Sequence, residues 1–339
     1  MRVALVGAGR IGAIHAETLG RLLAPGELVL ADLDTERARA LAAAVGAEAA
    51  DVEEAIAGVD ALVITASSNA HAELIRAGLG RQIPVFCEKP LATTLEETIR
   101  LVDEIEGSGV PFQLGFQRRF DAAYVEARRR RLAGDLGTVY LVRMVASDHA
   151  PPPEAYIPTS GKVFRDSSIH DFDAIRWMTG SEVESVYADG DATGFEMLAR
   201  HDDVGTVAVI LRMRNGILGV LGGGRHNPRG YDIRMELVGS RDSVAMGVSD
   251  RTPILPLDSG APSISAGWDS FLDRFDQAYR DELRAFVQVA RGEAESACTA
   301  RDGLEAMRIA EAASRSLAER RRIDLDDIVA RVEEVESAK

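Results

Sequence analysis

Cysteine, lysine and long apolar runs are scarce in this sequence of 339 residues. The two cysteines, Cys87 and Cys298, are too few and too far apart for a disulfide framework or a zinc cluster, which indicates a reducing compartment. No apolar stretch approaches the about 20 residues that a membrane-spanning helix needs. The chain passes from Met1-Arg2 directly into a β-rich run without a secretory leader, so we expect a cytoplasmic protein.

The charge balance excludes further classes of partner. With 54 acidic residues against 39 basic ones, the formal net charge of -15 would repel nucleic acid and anionic membranes, so we expect a small-molecule ligand. Only three of the basic residues are lysine, namely Lys89, Lys162 and Lys339. A partly buried lysine can titrate near neutrality whereas arginine cannot, so a retained lysine is a candidate functional group. Codon bias explains Lys162 and Lys339 equally well.

Short β-rich runs alternate with amphipathic helical stretches over the first third of the chain. The predicted strands are Arg2–Val6, Leu28–Ala31, Ala61–Thr65, Val85–Cys87 and Phe112–Phe116. The predicted helices cover 11–23, 35–45, 51–57, 70–80 and 94–106. This order is typical of the α/β class with a parallel sheet, so residues 1–120 are predicted to form a Rossmann dinucleotide-binding domain.

The pattern changes after about residue 120 to longer runs with two-residue periodicity. Strands are predicted at Val139–Val145, Thr206–Arg212, Gly216–Leu221 and Ile233–Val238. Helices are predicted at 269–291 and 302–319, the second with Asp302 as its N-cap. Residues 121–339 are therefore predicted to form an α+β domain with a large, mostly antiparallel open sheet.

A glycine motif follows the first predicted strand. Gly7, Gly9 and Gly12 form G-x-G-x-x-G at the start of a helix, where glycines allow a tight turn and close approach of the backbone to a pyrophosphate. Asp32 follows at the end of the second strand, where a carboxylate accepts hydrogen bonds from ribose hydroxyls and repels a 2'-phosphate. The spacing predicts NAD rather than NADP. A glycine-rich turn in an unrelated α/β protein is the alternative.

Glu88-Lys89-Pro90 lies just beyond another predicted strand. Ligands of open α/β sheets collect beyond the carboxyl ends of the strands, which would bring Lys89 beside the nicotinamide end of the dinucleotide. Its ammonium group is suited to stabilise charge on the oxygen that loses or gains a hydride at its carbon. The alternative is a surface Glu-Lys pair before a turn-forming proline.

Asp166, His170 and Asp173 are spaced to form one polar face of a helix. Ile169, Phe172, Ile175 and Met178 would pack on the other side. A histidine between carboxylates is a plausible general base, because the acids orient it and tune its pKa. A capped helix with a solvated face is an equally strong interpretation. A metal site is disfavoured, since no further histidine or cysteine is spaced to complete a tetrahedral shell.

Several weaker signals are interpreted structurally. Gly222–Gly224 indicates a bulge or a close backbone crossing, and Arg128–Arg131 a solvated helix face. Four isolated histidines are expected at surface or packing positions: His15, His71, His201 and His226. Of these, His71 lies just beyond a predicted strand, near the expected cofactor.

Together, these motifs resemble the Gfo/Idh/MocA family, named after glucose-fructose oxidoreductase, inositol dehydrogenase and a rhizopine-catabolism protein. The matching segments extend through the chain: Gly7–Gly12, Phe86–Leu91, Gly115–Asp121, Phe164–Asp173, Gly230–Asp232 and Arg274–Tyr279. The resemblance implies hydride transfer between a nicotinamide cofactor and a secondary alcohol of a sugar or cyclitol. It also implies a homo-oligomer, a tetramer or a dimer, joined through the open sheet.

The resemblance assigns roles to individual residues. Lys89 matches the catalytic lysine, and Asp166 and His170 match the acid and the base of a D-x-x-x-H pattern. Residues that match substrate-binding positions, besides Lys89 and His170, are Arg119, Asp173 and Tyr231. Residues that match cofactor-binding positions are Gly7, Gly9, Arg10, Ile11, Gly12, Asp32, Ser67, Asn69 and Glu88. The Lys89-Pro90 peptide is expected to be cis.

Within the family, the segments around Asp166 and Arg119 are most similar to the inositol dehydrogenase branch. The implied reaction is NAD-dependent oxidation of a ring hydroxyl of a cyclitol, myo-inositol or a stereoisomer. Two departures from the family pattern, Ala66–Ser68 and Lys162, leave another sugar or polyol open as the substrate, for a dehydrogenase or a keto-sugar reductase. A non-catalytic dinucleotide sensor is disfavoured, because the catalytic lysine and histidine are retained.

Overall fold

The computed structural model describes residues 1–258 and 265–328, which form two compact units. The first unit comprises Met1–Phe120 and Asp276–Leu304, and the second comprises Asp121–Phe275 and the described residues from Glu305 on. The division at residue 120 was expected, but the return of Asp276–Leu304 to the first unit was not. This segment belongs there because Leu283 and Phe286 are part of its apolar core.

The first unit holds six strands and five helices before residue 120. The strands are β1 Val3–Val6, β2 Leu28–Ala31, β3 Glu48–Ala49, β4 Ala61–Ile64, β5 Val85–Glu88 and β6 Phe112–Gly115. The helices are α1 Arg10–Leu22, α2 Thr35–Val45, α3 Val52–Ile56, α4 His71–Gly80 and α5 Leu95–Ser108. Side chains and glycines at the ends fix several bounds, as in α2, where the Asp34 carboxylate accepts from the Arg37 N–H and Gly46 ends the helix with a φ of 72°.

The strands of the first unit form one parallel sheet in the order β3-β2-β1-β4-β5-β6. Every residue of β1, β2, β4 and β6 is buried, as expected for a sheet that helices cover on both faces. The strand order reverses direction between β1 and β4, and a ligand of such a sheet binds beyond the carboxyl ends of the strands at this point. The predicted Rossmann fold is confirmed.

The second unit begins with helices around one strand and continues with a strand-rich segment. The helices before residue 200 are α6 Ala122–Leu132, α7 Ile157–Ser160, α8 Lys162–Asp166, α9 Ile169–Thr179 and α10 Glu196–Ala199. The strands are β7 Val139–Ser147, β8 Val183–Asp191, β9 Thr206–Met213, β10 Leu218–Gly224, β11 Asp232–Gly239, β12 Ser243–Met246 and β13 Ile323–Asp324. Two longer helices are α11 Phe271–Ala290 and α12 Ala300–Glu319. Each contains a point in the sequence where the chain changes from one unit to the other.

The strands of the second unit form a seven-stranded sheet in the order β12-β11-β7-β10-β9-β8-β13. All neighbouring pairs are antiparallel except β7 and β10, which confirms the mostly antiparallel prediction. Burial alternates strictly along β9, so one face of the sheet is buried and the other exposed. Gly223 in β10 meets the predicted close backbone approach, since a Cβ there would lie 2.6 Å from the Ala146 carbonyl oxygen.

Two details differ from the sequence prediction. Helix α12 begins at Ala300, so Asp302 lies in its first turn and is not the N-cap. Its carboxylate instead accepts from the Thr299 N–H at 2.9 Å while its own N–H donates to the Thr299 hydroxyl, which is the reciprocal arrangement of a capping box. Among the described residues, no helix combines the length and the apolar character needed to cross a membrane.

Candidate active site

The glycine loop connects β1 to α1 at the carboxyl edge of the first sheet. Gly7 has a φ of +114°, and a Cβ on it would lie 2.4 Å from the Ala66 nitrogen. A Cβ on Gly12 would lie 1.8 Å from the Gly7 carbonyl oxygen, so neither position accepts a side chain. Gly9 has no atom within 4 Å of its Cβ position. The loop therefore packs on itself at two glycines and leaves open space at the third, which fits a pyrophosphate.

Asp32 is fixed beside this loop at the end of β2. Its Oδ2 accepts from the Ala8 N–H at 2.6 Å, and its Oδ1 accepts from the Asp34 N–H at 2.8 Å. The guanidinium of Arg37 lies 3.9 Å from the carboxylate. A carboxylate held at this position is the group that binds ribose hydroxyls in NAD-binding folds.

Two further segments complete the edge of the first sheet. After β4, the Ser67 hydroxyl donates to the Asn69 side chain at 2.7 Å, and both residues are exposed. The ring of His71 is buried, with Nδ1 2.7 Å from the Pro90 carbonyl oxygen and Nε2 3.1 Å from that of Ala66. Burial lowers the pKa of His71. His71 thus connects the segment after β4 to the Glu-Lys-Pro turn, a role that the sequence did not reveal.

The Glu-Lys-Pro turn follows β5, and the Lys89-Pro90 peptide is cis as expected. Lys89 is half-buried. The Glu88 carboxylate lies 2.7 Å from Nε2 of His15, whose ring is completely buried. Because Glu88 is tied to the interior in this way, the turn is not the surface Glu-Lys pair that was the alternative interpretation.

His15, Glu88 and Glu282 form the one described group of side chains with spacing suited to a metal ion, their ligand atoms lying within 4.8 Å of one another. The His15–Glu88 distance of 2.7 Å is that of a hydrogen bond. It is shorter than the about 3.3 Å that separates neighbouring ligands of a tetrahedral ion. This geometry favours a buried proton-sharing group over a preformed metal site.

In the second unit, Asp166 and His170 do not share one helix, contrary to the prediction. Asp166 is the last residue of α8, and α9 begins at Ile169. The chain leaves the helical path between them because the Ser168 N–H donates to the carbonyl of Val163, five residues earlier. A shared helix face is therefore the wrong description of this pair.

The packing prediction for α9 is confirmed, because the four apolar side chains predicted to pack are at most 1% exposed: Ile169, Phe172, Ile175 and Met178. His170 is half-buried and Asp173 is 1% exposed, so the alternative of a solvated helix face is wrong. Burial of a carboxylate beside a histidine is typical of functional sites.

Asp166 is held by two side chains that the sequence did not indicate. The Tyr156 hydroxyl donates to its Oδ1 at 2.9 Å, and Nη1 of Arg225 lies 2.9 Å from its Oδ2. Arg225 follows directly after β10 and is 3% exposed. No motif marks it, since it is one arginine among many in a sequence almost without lysine.

Two predicted substrate contacts have structural partners within their own units. Arg119 is 6% exposed, pairs with Asp302 at 2.9 Å and donates to the Ala297 carbonyl. Tyr231 is 8% exposed, and its N–H donates to the Trp268 carbonyl at 2.7 Å. Their roles in substrate binding stay predictions. Lys89 and Arg119 belong to the first unit, and Asp166, His170, Asp173 and Tyr231 to the second.

Two family models match the chain. Residues 1–116 match the oxidoreductase family with an NAD-binding Rossmann fold, and residues 124–245 match the GFO/IDH/MocA C-terminal domain. The myo-inositol dehydrogenase Hyg17 of Streptomyces leeuwenhoekii is 42% identical over 93% of this chain and 97% of its own length. The myo-inositol 2-dehydrogenase of Thermotoga maritima is 34% identical over 97% of this chain and 100% of its own length.

Solved structures give the same result. A probable dehydrogenase from Thermotoga maritima superposes with a TM-score of 0.90 at 34% identity, covering 97% of this chain and 100% of its own. A scyllo-inositol dehydrogenase from Lactobacillus casei, with bound NAD(H) and scyllo-inositol, has a TM-score of 0.85 at 26% identity, covering 96% and 99%. With both family models matched and these identities over nearly the whole chain, the protein belongs to the GFO/IDH/MocA family of NAD-binding oxidoreductases.

Proposed function

We propose that this protein oxidises a secondary ring hydroxyl of a cyclitol, myo-inositol or a stereoisomer, to the keto-cyclitol with NAD. One observation carries the substrate class: relatives that match more than nine-tenths of the chain are named for inositol oxidation. This chain retains Lys89, Asp166 and His170 at the motif positions of that chemistry. The physiological direction and the preferred isomer are left to experiment.

The residues of the first unit that would hold the cofactor are the glycine loop Gly7–Gly12 and Asp32. The open space at Gly9 and the first turn of α1 at Arg10 and Ile11 suit the pyrophosphate, and Asp32 suits the ribose hydroxyls. Ser67, Asn69 and Glu88 are further residues assigned to cofactor binding. Bound NAD supplies an acceptor for the hydride.

In the proposed mechanism, His170 removes the proton from the reacting hydroxyl while the C–H bond of the same carbon gives up a hydride. The electron pair of the O–H bond becomes the second bond of the new carbonyl. Asp166 orients His170 and stabilises its protonated form, and the Lys89 ammonium stabilises negative charge on the oxygen. Asp173, Arg119 and Tyr231 are assigned to the other hydroxyls of the ring.

The test is the appearance of NADH absorbance with myo-, scyllo- and chiro-inositol, glucose and xylose, with NAD and NADP in parallel. Turnover of an inositol with NAD is expected. Turnover of a sugar alone would overturn the cyclitol assignment in favour of a sugar dehydrogenase or keto-reductase. A preference for NADP would contradict the role of Asp32 and leave the substrate class intact.

The proposal includes a homo-oligomer, a dimer or a tetramer, formed through the exposed face of the second sheet. Tyr187, Ile210 and Val220 lie side by side on β8, β9 and β10 and are 39%, 51% and 42% exposed. An exposed apolar row on a sheet face suits a second copy of the same face related by a two-fold axis.

The oligomer is tested by light scattering after gel filtration, with masses expected at multiples of 36.5 kDa. Ile210→Lys is expected to lower the mass, because it buries a charge in the apolar row. Leu132→Lys, at a 59% exposed position on α6, serves as the matched control and leaves the mass unchanged. A monomeric wild-type protein would overturn this part of the proposal.

The compartment is also part of the proposal, namely a reducing cytoplasm. Cys87 and Cys298 are both buried, and neither is in a disulfide. Burial raises the pKa of the Cys87 thiol well above its ordinary value, which keeps it protonated and unreactive.

A further inference from the structure

Behind Asp166, one buried arginine is surrounded by three carboxylates. Nη1 of Arg225 lies 2.9 Å from Asp166 and 3.4 Å from Asp148, and its Nη2 lies 4.0 Å from Asp203. The arginine and Asp203 are 3% and 2% exposed, whereas Asp166 and Asp148 are 14% and 27% exposed. The charges are therefore graded from the interior to the surface, with Asp166 near the accessible end.

Arg225 is fixed by its backbone to the sheet. Its N–H donates to the Gly205 carbonyl at 2.8 Å, and the preceding residue, Gly224, pairs with both neighbouring strands as the last residue of β10. A side chain that starts from a paired strand end has little freedom at its Cα. The Arg225 side chain thus starts at the end of a strand that is paired on both sides.

From this position Arg225 reaches both ends of α8. Asp166 is the last residue of that helix, and Asp203 Oδ1 accepts from the Val163 N–H at its start at 3.0 Å. A third contact comes from Arg165 of α8, which pairs with Glu311 of α12. The short helix is held by ion pairs and one hydrogen bond rather than by its own length, since isolated helices of five residues are unstable.

The electrostatics also favour the pairing of Arg225 with the carboxylates around it. Burial opposes charge on the Arg225 guanidinium, yet the carboxylates of Asp166, Asp148 and Asp203 outweigh burial and raise its pKa. Arginine remains protonated at every accessible pH, so a permanent cation faces the Oδ2 of Asp166. The Tyr156 hydroxyl occupies the other oxygen, and the two contacts define the orientation of the carboxylate.

We infer that Arg225 is a positioning residue of the dehydrogenase, which anchors α8 to the sheet and fixes the Asp166 carboxylate for its work on His170. It acts through Asp166 and is assigned no contact with substrate or cofactor. This role rests on the proposed function. The experiment is therefore chosen so that a failure of the positioning role can be distinguished from a failure of the proposed function.

The experiment compares Arg225→Met, Arg225→Lys and Asp166→Asn with the substrate that the panel identifies. Arg225→Met is expected to lower kcat at least about tenfold. This fall is expected to be smaller than that of Asp166→Asn. The dissociation constant of NAD is expected to stay unchanged, because the cofactor residues lie in the other unit. Arg225→Lys keeps the charge but not the planar fork, so its kcat is expected to fall between Arg225→Met and wild type.

The double variant Arg225→Met/Asp166→Asn provides the decisive comparison. If Arg225 acts through Asp166, the double variant is no slower than Asp166→Asn alone. Additive losses, or wild-type turnover of Arg225→Met, would overturn the positioning role. Wild-type turnover of Asp166→Asn would instead overturn the proposed mechanism.

A matched control separates positioning from general loss of a buried arginine. Arg176 of α9 is 7% exposed and forms a two-point ion pair with Glu182. Arg176→Met is expected to lower the melting temperature while keeping kcat. Equal loss of kcat in Arg225→Met and Arg176→Met would contradict the inference.

Should Arg225→Met fail to fold, Arg225→Lys takes its place in the test. Millimolar guanidinium is expected to restore turnover to a folded Arg225→Ala variant.

Discussion

The two units hold their candidate functional groups in different ways. In the first unit the groups lie on backbone turns that pack closely, as at Gly12, where a Cβ would lie 1.8 Å from the Gly7 carbonyl oxygen. In the second unit Asp166 is held by the side chains of Tyr156 and Arg225, which are far from each other in the sequence. A backbone arrangement leaves a local sequence motif, whereas an ion pair between distant residues leaves none.

Replacing Lys89 in the first unit should slow the reaction strongly without weakening the binding of NAD. Lys89→Met is expected to lower kcat by about 100- to 10,000-fold, because the charge that stabilises the reacting oxygen is lost. The NAD dissociation constant, measured by calorimetry, is expected to change little. Turnover close to wild type would remove Lys89 from the mechanism.

The glycine loop tests whether the backbone itself carries the cofactor site. Gly12→Ala is expected to lower the free energy of unfolding by about 1–3 kcal/mol, because the loop must move away from the new Cβ. Gly9→Ala meets no atom within 4 Å, so stability should be unchanged while NAD affinity falls. Thermal unfolding with and without NAD measures both effects. Equal stability of the two variants would show that close packing at Gly12 is not required.

We expect cofactor choice to depend on the Asp32 carboxylate of the first unit. Asp32→Ala is expected to cost about 1.5–3 kcal/mol of NAD binding, since hydrogen bonds to a charged acceptor are lost, and to improve the relative use of NADP. Asp34→Ala is the matched control. It removes the N-cap of α2, so it is expected to lower the free energy of unfolding by about 1 kcal/mol but to keep the ratio of kcat/KM with NAD to kcat/KM with NADP. An unchanged ratio in Asp32→Ala would exclude it as the selector.

The smallest expected effect concerns His71, a side chain that supports backbone turns in the first unit. Its folded pKa lies below the usual 6.5 because of burial, so the unfolded chain binds the proton more tightly. The free energy of unfolding is therefore expected to fall as the pH drops below 6.5 and to level off below the folded pKa. Urea titrations of His71→Gln should show a flatter profile, and the exposed His226→Gln should match wild type.

Much of the first unit could be predicted from the sequence. Five of its six strands, the glycine loop and the placement of Asp32 follow from local patterns, whereas the two-residue strand β3 was not predicted. The cis Lys89-Pro90 peptide was implied by the family resemblance. The return of Asp276–Leu304 to the first unit could not be predicted, because it depends on Leu283 and Phe286 packing against residues near the start of the chain.

In the second unit, helical periodicity alone was misleading. The spacing of Asp166 and His170 fits one helix, but the bond from the Ser168 N–H to the Val163 carbonyl divides it. Strands β8 and β12 and the support of Asp166 by Arg225 were also missed. Such features depend on tertiary contacts, which a single sequence does not encode in any short segment.

The most direct test of the central claim follows the hydrogen that is transferred. The protein is incubated with NAD and an inositol that carries deuterium on every ring carbon, and the reduced cofactor is analysed by mass spectrometry. The account predicts that the cofactor gains one deuterium from the cyclitol, together with one equivalent of keto-cyclitol. Reduced cofactor without deuterium, or no reduction with any inositol isomer, would contradict it.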